Sequence, residues 1–397
     1  MNKYANFMKM VDISMPNWKK AVDGGVAKIK VSNSSQGQLK TELGHSFINM
    51  SSCSYLGLNE HPELLKGAMG ALDNFGMIAL SLSRARIGHE LVEHCEGQLS
   101  KLFDCTIKLT PSCTSASVGT LPLLASGVFT DGRKPIVIFD KRAHFSMNIM
   151  KPSCADETTV VTCEHNDIER IEEICKENDN VVYVCDGAYS TGGVAPFEEL
   201  QRLQRTYGLF LYIDDSHSIS CFGQNGIGVA KSFFNTLNER TFIIASLNKG
   251  FGSGGGVIMM ANEMQKEILD FCGGPMCWSQ TLSTATLGAI SAASKIHMSD
   301  EISILQQKLR TNVSLFDELT PTRTSNNGLA IRRIDLKAET NPILVSKYLF
   351  DEGFYVSPLF FPIIPRDSSA LRIMCRANVP KSKVATLCSL LSIINKD

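Results

Sequence analysis

"NVVYVCDGAYSTGGVAPFEELQRLQRTYGLFLYIDDSH" (Asn180–His217) decides the fold class. It opens with an unbroken apolar run of strand length and closes with another, each ending in aspartate. Between them "FEELQRLQRTYG" carries apolar residues at helical spacing and stops at Gly208, a residue suited to a helix C-terminus. Strand, helix and strand in this order make a βαβ unit, whose strands run parallel. Strands with no polar alternation are buried on both faces, as parallel strands are.

The same alternation extends outward. "KPIVIFD" (134–140), "TTVVTCE" (158–164) and "RTFIIASLN" (240–248) read as further strands, and "NDIERIEEICKEN" (166–178) as a helix with an Asn/Asp start. A mostly parallel α/β domain is therefore expected over residues 46–290. Residues 1–45 mix polar, Gly and Ser positions, and "VSNSSQGQLKTELG" suggests a loop or hairpin leading into that body. After residue 290 the pattern changes to helix, strand, helix, a strand pair around "FYVSPLFFPIIP" and "SALRIMCRAN", and a last helix "KSKVATLCSLLSIIN". Residues 291–397 read as a smaller α+β domain.

At 397 residues, 44% hydrophobic and 20% charged, the chain can bury a large core. A net charge of −1 provides no global pull toward nucleic acid or an anionic membrane. The thirteen cysteines form no C-x-x-C pair, and an odd number cannot all pair within one chain. Reduced thiols in a cytoplasmic protein are expected. No signal-peptide core and no apolar stretch long enough for a membrane span is present in the sequence. His89 and His94, five residues apart, miss the spacing of a helical metal pair, and no metal is expected. The remaining histidines, His45, His61, His165 and His297, read as structural or solvated.

Polar residues collect where the proposed strands end on their carboxyl side, which is where doubly wound sheets bind ligands. Asp140 and His144 follow the strand of 134–140. Asp186, Tyr189 and Ser190 follow the strand that opens the stretch 180–217, Asp214, Asp215 and His217 follow the one that closes it, and Ser246 and Lys249 follow that of 240–248. If the strands share one sheet, these side chains converge. Lys249 is followed by "GFGSGGG", five glycines in seven residues, read here as room for a ligand close to the backbone. An amine, buried acids and imidazoles on one rim suit a carbonyl cofactor held as a Schiff base.

"YIDDSHSISCFGQNGIG" (212–228) and "SLNKGFGSGGGV" (246–257) resemble the two signature stretches of the α-oxoamine synthases, pyridoxal-phosphate enzymes of the aspartate aminotransferase-like architecture (fold type I). "INMSSCSYLGLNEHPEL", "DKRAHFS", "EHNDIERI", "DGAYSTGGVAPFEEL" and "FPIIPRDSSALRIMCRAN" resemble further blocks in the same order, over residues 46–395. The resemblance implies pyridoxal 5'-phosphate bound covalently to Lys249, with Lys249 also moving the substrate Cα proton. It implies Asp214 on the pyridine nitrogen, His144 stacked on the ring, and His217 and Ser190 at the phenolic oxygen. Ser112, Cys113 and Ser246 correspond to a phosphate cradle, with Ser279 or Thr281 reaching it across a homodimer interface. Arg372 corresponds to the arginine that grips the substrate carboxylate.

Two departures stand out. Cys53 occupies the place of an asparagine that helps orient the amino acid, and residues 77–90 are shorter and poorer in glycine than the family pattern. Both bear on which substrates are taken and point toward a specialised signalling or secondary-metabolite pathway. The implied reaction joins an L-amino acid to an acyl thioester, carried by coenzyme A or a carrier protein, with loss of carbon dioxide. An aminotransferase acting on an amino acid and keto acid pair is the alternative.

Overall fold

The computed structural model describes residues 3–35, 37–337, 339–361, 363–364 and 368–394. The chain divides into two compact units. The first comprises Met1–Ala5, His61–Ser190 and Val194–Ser303; the second comprises Asn6–Glu60, Thr191–Gly193 and Ile304–Asp397.

Seven strands form the sheet of the first unit: β1 (Thr106–Thr110), β2 (Ile136–Asp140), β3 (Val160–Cys163), β4 (Val181–Asp186), β5 (Phe210–Asp214), β6 (Thr241–Ser246) and β7 (Gly256–Met260). Their order is β1-β7-β6-β5-β4-β2-β3. All neighbours are parallel except β7, which runs antiparallel to both β1 and β6. The five apolar runs read from the sequence are β2 to β6. β1 and β7 complete the edge beside them, and Gly256 opens β7 directly after the glycine loop.

Every residue of β4, β5 and β7 is buried. Alternate side chains of the central strands (Val182 and Val184, Phe210 and Tyr212, Phe242 and Ile244, Ile258 and Met260) share one core with Ala116, Leu121 and Leu124 of the helix Cys113–Ala125. The period of two assigns these residues to one face, and the intervening residues, among them Tyr183, Ile213 and Ile243, are also buried. This two-sided burial explains the absence of alternation in the sequence.

One charged cluster is built into the first unit. Arg84 donates to both carboxylate oxygens of Glu96, at 2.7 and 3.1 Å. Glu96 also pairs with Lys266 at 3.0 Å and accepts from the Leu109 N–H at 2.8 Å. The buried Lys108 pairs with Asp270. These contacts tie residues 77–90 to the helices Glu90–Phe103 and Glu263–Cys272 and to β1. Ser83 bridges Gln280, and the Thr284 N–H donates to the Ile78 carbonyl, so the same segment is also fastened to residues 280–284.

In the second unit, Val31–Ser35, Gln38–Thr41 and Ser46–Asn49 run antiparallel in succession, and Phe354–Tyr355 adds in parallel to the last. The expected hairpin is present. A second sheet sets Ser369–Met374 between Ile331–Leu336 and Ser357–Leu359, all antiparallel. The expected strand pair thus uses Ser357–Leu359; Pro362 and Pro365 of the quoted run lie outside the described residues, as does Asn395 at the end of the last helix, Lys381–Ile394. Asp317 holds the buried Arg332 through both oxygens, at 2.5 and 2.7 Å.

These units differ from the division into 1–45, 46–290 and 291–397. Residues 6–60 belong with 304–397, because the strand Ser46–Asn49 finds its parallel partner at Phe354–Tyr355. The helix Phe7–Asp23 is an addition to that division: Phe7, Val11, Met15, Trp18 and Val22 recur along it at helical spacing but are exposed, and Ala21 is the one residue it buries. Residues 291–303 complete and follow the helix Thr284–His297 of the first unit. All thirteen cysteines are free thiols. Among the described residues no helix is long and apolar enough to cross a membrane.

The charged cluster has a measurable consequence. Burial alone would push the Glu96 carboxyl up; the Arg84 hydrogen bonds and charge, with Lys266 and the Leu109 N–H, outweigh it and hold the group below its ordinary 4.5. Its contribution is therefore present above that value and is lost as pH falls through the depressed one. Glu96→Ala leaves Arg84 without its main partner, and urea unfolding at pH 7 is expected to show a loss of about 3–5 kcal/mol. A loss below about 1 kcal/mol would assign the cluster the weight of a surface pair.

Candidate active site

The carboxyl ends of β2, β4, β5 and β6 lie side by side in the sheet, and the residues expected to converge do so. Lys249 Nζ lies 3.0 Å from His217 Nε2. His217 is 6% exposed, whereas Lys249 is half-buried, so the amine sits at the boundary between core and rim.

Asp214, the last residue of β5, is buried. Its Oδ1 accepts the Ser216 N–H at 3.0 Å, and its Oδ2 faces the Cys113 thiol at 3.6 Å. Ser216 Oγ lies 3.6 Å from the same sulfur, and it accepts the Ser246 N–H at 2.8 Å. Cys113 therefore meets Asp214 and Ser216 with its side chain. Burial, followed by the Asp214 charge, pushes its thiol well above the ordinary range, so it stands as a neutral donor to the carboxylate.

Two further acids surround Asp214. Asp186 Oδ1 accepts the His144 N–H at 2.8 Å, and Asp215 Oδ2 accepts the Ala230 N–H at 2.9 Å. Burial, and then the charge of Asp214, raises the Asp186 carboxyl well above the usual range. Burial likewise raises Asp215 to about 7. Both are driven toward their neutral forms, which limits the negative charge gathered behind the rim.

His144 caps the short helix Phe145–Asn148, accepting from the Ser146 N–H at Nδ1, with its ring exposed at the rim. Ser112 caps the helix Cys113–Ala125: its Oγ accepts the Ser115 N–H at 3.0 Å and lies 2.9 Å from Ser115 Oγ. That helix start combines free backbone N–H groups with two hydroxyls, as anion sites do. Ser115 was not singled out from the sequence; its position three residues after Ser112 is the capping signal that identifies it. Ser246 Oγ donates to Asn248 Oδ1 at 2.5 Å. Ser190 is half-buried, four residues beyond β4. Ser279 spends its hydroxyl on the Pro275 carbonyl, while Thr281 follows the Ser83–Gln280 bridge and is half-buried. Cys53 and Arg372 belong to the second unit, Cys53 half-buried in a loop and Arg372 on the strand Ser369–Met374 opposite Arg333.

Read as room for a ligand, the glycines of the loop after Lys249 instead answer to protein atoms. A Cβ on Gly250 would lie 2.6 Å from the Ile219 carbonyl oxygen, and one on Gly256 would lie 2.5 Å from the Cys113 nitrogen. The loop is packed down at Gly250 onto the 219–221 segment and at Gly256 onto the helix start, and Lys249 projects from that seat.

An amine, a buried carboxylate, an exposed imidazole face and a helix N-terminus with hydroxyls form the donor set that a phosphorylated pyridine aldehyde requires. The profile of the aminotransferase class I and II family matches residues 46–391. The chain is 28% identical over 355 residues to 8-amino-7-oxononanoate synthase of Alkaliphilus metalliredigens, covering 86% of each. It is 24% identical over 370 residues to serine palmitoyltransferase of Bacteriovorax stolpii, covering 90% of this chain and 84% of the relative. Its fold is that of Sphingomonas wittichii serine palmitoyltransferase, with a TM-score of 0.83 at 20% identity over 99% of this chain and 98% of the other. An 8-amino-7-oxononanoate synthase structure from Francisella tularensis superposes with a TM-score of 0.71 at 20% identity, over 88% and 97%. The chain belongs to the aminotransferase class I and II family, and its relatives there are α-oxoamine synthases, enzymes that work with pyridoxal phosphate.

Proposed function

We propose that this protein joins an L-amino acid to an acyl thioester, releasing carbon dioxide and free thiol and leaving an α-aminoketone. The observation that carries the reading is the Lys249–His217 contact beside buried Asp214, set on a chain whose relatives bear synthase and palmitoyltransferase names. Pyridoxal phosphate, when bound, supplies an electrophilic carbonyl and a ring that accepts electrons from the substrate Cα.

The residues present fit that group. Lys249 is the amine that would hold it. Asp214, which accepts from the Cys113 thiol and the Ser216 N–H, is assigned to the pyridinium N–H. His144 offers an exposed ring face for stacking, and His217 and Ser190 are assigned to the phenolic oxygen. The Ser112–Ser115 helix start and Ser246 are assigned to the phosphate, together with Thr281 from the second subunit of a homodimer. Arg372 is assigned to the substrate carboxylate, where its planar fork gives two parallel hydrogen bonds and fixes which Cα bond is broken. Cys53 is assigned to the neighbourhood of the amino acid, where its small thiol removes the amide of the family pattern.

In this reading Lys249 takes the proton from the substrate Cα and later returns one to it. His217, 3.0 Å away, holds the amine in line for both transfers. With the cofactor bound, the Asp214 carboxylate would stabilise positive charge at the ring nitrogen and so make loss of the Cα proton less costly. The acyl group is then accepted at Cα, and the carboxylate departs as carbon dioxide. The thirteen free thiols are in keeping with a cytoplasmic site of action.

Purified protein supplied with pyridoxal phosphate and pooled L-amino acids is expected to release α-aminoketones only when acyl-CoA thioesters are also present. Lys249→Ala abolishes them, as mass spectrometry of the products will show. Keto acids formed without thioester would instead establish the aminotransferase reaction. Asp214→Asn is expected to lower kcat about 10²-fold or more with little change in KM, because its charge acts on the developing carbanion. Unchanged steady-state turnover would remove Asp214 from its assigned role.

A further inference from the structure

His297, set aside in the sequence as structural or solvated, lies fully buried at the end of the helix Thr284–His297. Its Nδ1 is 2.8 Å from the Ala293 carbonyl oxygen and its Nε2 is 2.8 Å from Ser220 Oγ. A carbonyl oxygen only accepts, so Nδ1 carries the proton. Burial lowers the imidazole to about 4 and keeps it neutral, so Nε2 accepts from the Ser220 hydroxyl. The tautomer and both hydrogen-bond directions are thereby fixed.

The ring has a third contact. Phe251, fully buried, stacks on it with centroids 4.4 Å apart and planes 25° apart. Phe251 is two residues beyond Lys249, and Ser220 is three residues beyond His217. One imidazole thus touches both chain segments that deliver the Lys249–His217 pair. Gly250 closes the gap between those segments, since a Cβ there would lie 3.2 Å from Ser220 Cβ.

Ser220 supports the same conclusion through its backbone. It has a φ of +72°, in the left-handed region that a serine seldom enters, and its N–H donates to the Gly226 carbonyl at 2.8 Å. Strain of this kind persists where the surroundings over-determine it. The unusual conformation turns the hydroxyl toward His297.

We propose that His297 is a positioning residue, which sets the separation and orientation of Lys249 and His217 through Phe251 and Ser220 without touching substrate. The role rests on the function proposed above insofar as Lys249 is the reacting amine. The bracing itself is a property of the chain.

The test uses three full-length variants. His297→Phe keeps a ring against Phe251 and loses both hydrogen bonds, Ser220→Ala removes one hydroxyl, and His297→Gln retains an acceptor for Ser220. Two readouts are taken besides activity. The first is the pH titration of the visible absorbance of lysine-bound pyridoxal phosphate. The second is the labelling rate of Lys249 by an amine-acylating reagent in cofactor-free protein, measured by peptide mass spectrometry against the exposed Lys101.

For His297→Phe and Ser220→Ala the titration midpoint is expected to move by about half a pH unit or more. Relative Lys249 labelling is expected to change with it, and kcat to fall about tenfold or more. His297→Gln recovers part of each effect. Lowered melting temperatures with both readouts at the wild-type values would overturn the proposal and leave His297 a packing residue. If His297→Phe does not fold, Ser220→Ala decides alone. If the protein takes up no pyridoxal phosphate, the proposed function fails, and Lys249 labelling still decides the role of His297.

Discussion

The central strands are buried on both faces, and this constraint organises the first unit. A strand between two layers of packing has no position along its length where a charged side chain meets water, so polar chemistry is confined to its ends. Asp140, Asp186 and Asp214 each occupy the last position of a strand, and Ser246 ends the next. Parallel pairing then sets these ends side by side, and the connections that follow carry His144, Ser190, His217 and Lys249 to the same rim. The site is a consequence of the sheet's topology before it is a consequence of any one motif.

Crowding several carboxyls at one rim has an electrostatic cost, and the structure meets it by differentiation. Asp140 is held low: burial opposes ionisation, but the His165 ring and the N–H groups of Asn166 and Arg142 prevail. Asp186 and Asp215 are driven the other way by burial, with the neighbouring Asp214 adding to the rise. Asp214 itself faces a thiol and a backbone N–H. Neighbouring acids held in different protonation states are how one small volume can offer both a charge and a proton reservoir.

Much of this was legible in the residues, and the rest was not for identifiable reasons. The apolar runs of β2 to β6 are continuous, of strand length and bounded by turn or charged residues, so length and boundaries located them, and the polar residues at their ends followed. The unit boundaries depend on which distant segment Ser46–Asn49 pairs with, and no local pattern reports that. The helix Phe7–Asp23 carries apolar residues at helical spacing, and Pro16 in its middle is what argues locally against a helix there. The glycines after Lys249 drew attention to the right place for a wrong reason, since a close approach of protein backbone and of a ligand leave the same signature in sequence. Cys113 enters the sequence reading as a phosphate-cradle position, and its side-chain contact with Asp214 crosses 101 positions of chain, which no local pattern reports. His297 shares no motif with the site, and its place behind Lys249 emerges only when Phe251 and Ser220 are brought together in space.

In the proposed function Lys249 is the amine about which this rim is built. Reducing the pyridoxal-phosphate-loaded protein with borohydride and mapping the modified peptide by mass spectrometry tests that role most directly. A single phosphopyridoxyl adduct on Lys249 is expected, with none formed in Lys249→Ala. An adduct on any other lysine, or none on a protein that retains the cofactor's visible absorbance, would contradict it.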